Sequence, residues 1–187
     1  MESKKFWDKF YKEGKQPTES PSPFAVWFIK NLNRFGMSKK MSLVELGAGC
    51  GRDTRLIMKN FKYVDAIDES IENNLVRKLK AADCLLRSYH IIYSRFFLHC
   101  LTNKEISNLI DEIDFGTYFV AEFRVKGDKP VLYKDHKRNF IDMGWLTRKL
   151  MSNFFEVKYF EVRRGLAKYK NEDPLIGRII AKKYDTR

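Results

Sequence analysis

Apolar positions in this chain recur in two rhythms, one suited to strands and one to helices, and together they lay out an alternating α/β succession. Leu43, Val44 and Leu46 form a short apolar run that predicts a buried strand, and residues 62–68 (KYVDAID) predict a second. The β-branched and aromatic run 90–99 (HIIYSRFFLH) predicts the best strand in the middle of the chain. Residues 102–113 carry Ile106, Leu109, Ile110 and Ile113 at helical spacing, with Thr102 and Glu105 placed as a capping box. A fifth strand is predicted over 116–125, a helix over 145–155, and two late strands over 157–163 and 175–182. The turn at Asn171, Glu172, Asp173 and Pro174 joins that pair without a helix, which implies an antiparallel hairpin at a sheet edge. At the N-terminal end, Phe6, Trp7, Phe10 and Tyr11 cluster at helical spacing. A breaker segment with three prolines comes next, and Ser22 and Pro23 then read as the cap and first position of an amphipathic helix. The polar run 71–80 also reads as helix-like, with Asp68, Glu69 and Ser70 before it as cap residues.

The stretch SLVELGAGCGRDT at 42–54 joins the first strand to a three-glycine turn and then to a helix start. Gly47, Gly49 and Gly51 let the backbone turn sharply and approach a ligand closely. The spacing is G-x-G-x-G. The dinucleotide fingerprint needs a small residue where Arg52 stands, and no P-loop pattern occurs, so pyrophosphate and nucleoside triphosphates are poor fits. Asp68 closes the second strand at a distance from Gly51 that accommodates one helix and one strand. A carboxylate there can accept both ribose hydroxyl hydrogens of a nucleoside lying over the turn. It can equally cap the next helix, and the two roles are compatible.

With Glu45 leading into Gly47-Ala48-Gly49-Cys50-Gly51, the chain resembles the class I S-adenosylmethionine-dependent methyltransferases. The resemblance implies a Rossmann-like α/β fold with a mostly parallel seven-stranded sheet, shortened between strands 2 and 4, and a C-terminal antiparallel hairpin. It implies one domain, with an arm and lid helices over 1–35 and the methyltransferase core over 36–187. It further implies S-adenosylmethionine as cofactor, with Glu45, Gly47, Ala48, Gly49 and Gly51 at the methionine portion, Asp68 at the ribose and Asp83 at the adenine. The spacing from Asp68 to Asp83 is well short of the about 30 residues of a full βαβ unit, so any helix and strand between them must be short. The arm resembles a lid over the cofactor, with Tyr11 as its contact; its aromatic residues can also simply seal the core edge.

Composition narrows the chemistry. At 187 residues and 44% hydrophobic, the chain suits one domain with one sizeable core. No apolar run is long enough for a membrane span, and the charged, aromatic N-terminus is unlike a signal peptide, so a soluble, cytoplasmic protein is expected. Cys50, Cys84 and Cys100 form no C-x-x-C pair, and with His90, His99 and His136 scattered, neither a disulfide framework nor a metal site is expected. The net charge of +12 attracts anions, whether phosphorylated or acidic small molecules or nucleic acid, although no block of like charges marks a binding tail.

His99, at the end of the 90–99 run, is the candidate base for an oxygen acceptor, with helix packing as its alternative role. Arg95, Arg124, His136 and Arg138 are candidate contacts for an anionic substrate, since arginine suits bidentate recognition of phosphate or carboxylate. No Asn/Asp-Pro-Pro-Tyr/Phe sequence stands at the fourth strand, which disfavours amino-methylation of bases or glutamine. The segments FWDKFY, SPSPFA, YSRFFLH and the tail 161–174 resemble small methyltransferases of surface-polysaccharide assembly, which methylate a sugar or its terminal phosphate. The expected function is therefore O-methylation of a sugar or phosphorylated glycan precursor. An RNA or other nucleic-acid methyltransferase, and a binding or scaffold protein on a degenerate methyltransferase fold, are the alternatives.

Overall fold

A computed structural model describes residues 2–14, 20–127, 139–168 and 172–185. The elements run α1 (Glu2–Lys12), α2 (Pro23–Asn31), β1 (Ser42–Leu46), α3 (Thr54–Met58), β2 (Tyr63–Asp68), β3 (Arg77–Lys78), β4 (Ile91–Arg95), α4 (Asn103–Asp111), β5 (Tyr118–Arg124), α5 (Met143–Ser152), β6 (Phe155–Arg163) and β7 (Ile176–Lys183). The strands form one sheet in the order β3-β2-β1-β4-β5-β7-β6. β1 to β5 are parallel neighbours, and β7 runs antiparallel between β5 and β6. This is a Rossmann-like methyltransferase fold with the expected antiparallel hairpin at one edge.

The central strands are buried on both faces, as parallel strands covered by helices must be. On β1, Leu43 packs with Phe24, Phe28, Ile57 and Tyr93 on one side, while Val44 and Leu46 pack with Ile106, Ile110, Leu146 and Leu150 on the other. The caps form as their residues require. The Ser22 hydroxyl accepts from the Ala25 amide at 3.1 Å with Pro23 in the first helical turn, and Thr102 and Glu105 close the capping box of α4. Among the described residues no helix is long and apolar enough to cross a membrane.

Two elements differ from expectation. Residues 71–80 are not helical: Asn73 turns its side-chain carbonyl onto the amides of Leu75 and Val76, at 2.8 and 3.1 Å, and the two-residue β3 comes directly after. An asparagine that bonds its own backbone competes with the helical ladder, and here it wins. The interval up to Asp83 is shortened, with a 3₁₀ turn over Ala81–Asp83. The last helix starts at Met143, where Asp142 caps the Trp145 amide at 3.0 Å, and ends at Ser152, so that Phe155 already opens β6.

In the parallel half, the C-terminal ends of β1, β2, β4 and β5 share one rim, where open α/β sheets bind their ligands.

Candidate functional site

A cavity of about 2020 Å³ opens at that rim. Glu45, Gly47, Ala48, Gly49, Asp68, Asp83, Tyr11, Arg95, His99 and Arg124 all line it, whereas Gly51 faces Leu75 and Val76. Its volume exceeds the roughly 300–1,000 Å³ of a pocket for one drug-sized ligand, so two molecules fit.

The glycine turn forms the floor. Gly47 and Gly49 adopt φ of +69° and +57°, the left-handed region that side chains disfavour. A Cβ on Gly47 would lie 2.7–2.9 Å from the Phe97 side chain, and one on Gly49 would lie 2.7 Å from the Tyr11 hydroxyl. The Gly47 and Ala48 amides both donate to the Ile67 carbonyl at 3.0 Å, which ties the turn to β2. Asp68 continues that tie: one carboxylate oxygen accepts from the Gly49 amide at 3.0 Å and the other from Ser70 at 2.9 Å. Burial raises the Asp68 carboxyl above its ordinary value, against the pull of those amides. The α1 rings of Phe6, Trp7, Phe10 and Tyr11 pack on one another and line the cavity's upper wall.

Behind the floor lies a buried polar network that sequence reading did not single out. Asp53 is 4% exposed, and its carboxylate accepts from the Ser22 amide at 2.7 Å, the Ser22 hydroxyl at 2.6 Å and the Tyr93 hydroxyl at 3.1 Å. It thereby fastens the start of α2 to the exit of the glycine turn and to β4. Its one sequence signal is an acid directly after a glycine turn, beside a threonine that needs a partner. That threonine, Thr54, donates to Glu45 at 2.6 Å.

Glu45 is buried, and desolvation first, with the Asp53 charge second, pushes its carboxyl up to about 8 from an ordinary 4.5. A raised acid holds its proton more tightly in the folded protein. The stability that this contributes is complete below pH 4.5 and is lost as pH rises through 8. Glu45→Gln cannot titrate, so relative to wild type it is expected to gain stability between pH 5 and pH 9. Urea unfolding at the two pH values checks this.

The other wall carries the arginines. Phe96, at φ +56°, breaks β4 with a left-handed residue and sends His99 back into the protein, 2% exposed and with its ring 5.5 Å from that of Phe96. Glu122 is 1% exposed and accepts from Arg95 Nε at 2.9 Å and Arg178 Nε at 2.8 Å, so Arg95 already has an anion. Arg124 is 6% exposed and gives Nη2 to Glu172 at 2.6 Å, but its Nε and Nη1 have no hydrogen-bond partner among the described residues. A buried donor left unmet costs about 1–3 kcal/mol. Asp83 is exposed at the cavity mouth. The expected contacts His136 and Arg138 lie outside the described residues.

No family model matches this chain, and no curated protein matches it either. Solved structures do. An S-adenosylmethionine-dependent methyltransferase from Methanosarcina mazei is 18% identical with a TM-score of 0.65, over 84% of this chain and 97% of that one. The 1,6-didemethyltoxoflavin N1-methyltransferase of Burkholderia thailandensis, solved with S-adenosylhomocysteine, is 13% identical with a TM-score of 0.73, over 97% and 87%. The cyclase SpnF is also 13% identical, with a TM-score of 0.66, over 86% and 80%. At these identities the likeness concerns the fold, and a cyclase among the neighbours means that the reaction must be argued from the site.

Proposed function

We propose that this chain is an S-adenosylmethionine-dependent methyltransferase acting on an oxygen of a sugar or a phosphorylated glycan precursor. The observation that carries the cofactor half is the pairing of the Asp68 carboxylate with the Gly49 amide on the floor of a two-molecule cavity, under Tyr11. The residues fit the group. The turn lines the cavity with glycine backbone, an acid stands at the second strand tip with lone pairs to spare, and an aromatic arm covers the cleft.

When bound, S-adenosylmethionine supplies an electrophilic methyl group on a sulfonium. The chain's own part is to bind and align. Asp68 would hold the ribose hydroxyls, the turn after Glu45 the methionine portion, and Asp83 the adenine edge. Phe97 and the α1 rings would keep water out. His99 would take the proton of an acceptor hydroxyl on its imidazole; a phosphate or carboxylate oxygen needs no such base. The chain's net charge of +12 favours an anionic acceptor, with Arg124 and Lys80 on the cavity wall to meet it. The same charge, +12 overall, supports nucleic acid as the second reading, and RNA affinity that vanishes near physiological salt would remove it.

Calorimetry with S-adenosylhomocysteine tests the cofactor half. Wild type is expected to bind, and Asp68→Ala to bind about tenfold or more weakly, roughly 1.4 kcal/mol. Absence of binding by wild type overturns the reading.

A further inference from the structure

We infer that the acceptor carries an oxyanion, a carboxylate or a phosphate, and that this group seats on Arg124 rather than on Arg95. The inference rests on the methyltransferase reading and adds the chemical class of its substrate. Three arginines converge near the ends of β4, β5 and β7, and the structure gives them unequal work. Arg95 and Arg178 share the Glu122 carboxylate, one on each oxygen. Arg178 is further held by its guanidinium lying 5.2 Å from the Phe24 ring centre. Arg95 gives only its Nε to that acid, but its side chain is 16% exposed, so its remaining donors can meet water.

Arg124 is different. It is buried, it lines the same cavity as the glycine turn, and two of its three guanidinium nitrogens have no hydrogen-bond partner among the described residues. A guanidinium keeps its charge at any pH the protein meets, so it cannot escape this cost by deprotonating. Its one described partner, Glu172, holds a single nitrogen from a residue 35% exposed at its side chain. The missing partner is therefore a group with oxygen acceptors, and an oxyanion is the strongest acceptor a guanidinium can take, stronger than a neutral sugar hydroxyl.

Glu172 supplies the discriminating test. If Arg124 and Glu172 are only a structural pair, wild type binds no anion, and only Glu172→Gln, which strips Arg124 of its counter-ion, gains any. If the donors beside Glu172 receive a substrate anion, the Glu172 charge opposes that anion, and neutralising it strengthens binding. The full chain is titrated calorimetrically with inorganic phosphate, sodium acetate and glucose, with and without saturating S-adenosylhomocysteine. One of the two anions is expected to bind wild type in the millimolar range and glucose is not. Phosphate in preference to acetate identifies a phosphorylated acceptor; the reverse identifies a carboxylate. Arg124→Gln is expected to weaken the anion about tenfold or more, Arg124→Lys to recover only part of this, and Glu172→Gln to tighten it severalfold. S-adenosylhomocysteine affinity is expected to stay within about twofold of wild type in all three variants. If Arg124→Gln does not fold, anion binding by wild type and its partial loss in Arg124→Lys decide. No anion binding by wild type, or no change in Glu172→Gln, overturns the inference. Anion binding without any binding of S-adenosylhomocysteine overturns the cofactor reading instead and leaves the anion site standing.

Discussion

Replacing Asp53 by alanine is expected to remove about 3–5 kcal/mol of stability, a large share of the 5–15 kcal/mol that holds a domain of this kind together. The carboxylate receives three hydrogen bonds, and all three donors belong to fully buried residues, Ser22 and Tyr93. Alanine leaves an amide and two hydroxyls facing a void. At about 1–3 kcal/mol per unmet donor, partly offset by water entering the space, the loss falls in that range. Asp53→Asn keeps the shape but turns one acceptor into a donor opposite other donors, and about half the loss is expected. In urea, both variants are expected to move the midpoint while leaving the slope unchanged, since the surface exposed on unfolding stays the same. Failure of Asp53→Ala to move the midpoint would mean that the network contributes nothing net. The loss also has a functional face, because the same carboxylate joins α2 to the exit of the glycine turn.

Gly47→Ala is expected to weaken S-adenosylhomocysteine binding about a hundredfold, near 2.8 kcal/mol. Two costs combine. The left-handed backbone disfavours any Cβ by about 1–2 kcal/mol, and the new methyl would lie 2.7–2.9 Å from Phe97 atoms that include its own Cβ. Phe97 cannot simply swing its far end away, so the turn or the β4 tip must move, and with it the floor of the cavity. Gly49→Ala makes the informative contrast. Its methyl meets the Tyr11 hydroxyl, the far end of a side chain on the N-terminal arm, so the arm can lift. A smaller loss of affinity is expected there, with a shift in Trp7 fluorescence as α1 rises. Equal losses in the two variants would place the burden on the backbone angle alone.

Legibility in the sequence divides on physical grounds. The glycine turn, the acid at the tip of β2, the capping box at Thr102 and the late hairpin were legible because each requirement is local: a left-handed angle, a cap or an alternation is met by the residues that stand there. The run 71–80 misled because its polarity suits an exposed helix, while the decisive act is one Asn73 side chain bonding its own backbone. Asp53 gives little local signal because its partners lie 31 and 40 residues away. Sequence suggests Arg95 as a contact for a substrate anion, and it cannot show that Glu122 on the neighbouring strand takes its Nε, a pairing set by the register of β4 on β5. Arg124 differs from Arg95 in nothing that sequence displays. Only the assembled sheet shows which guanidinium keeps buried donors without partners among the described residues.

The place of β7 has a consequence for the newborn chain. β7 comes after β6 in the sequence but lies between β6 and β5, so β6 leaves the ribosome with no strand to join. Until β7 emerges, the outer edge of β5 stays open, and Phe160, 67% exposed even in the finished protein, is carried on an unpaired strand. At the usual 5–20 residues per second, the interval from Arg163 to Lys183 lasts roughly one to four seconds. For that time the nascent protein carries two uncapped β edges, a liability for sticking to its neighbours on the same message. One strand then closes both at once.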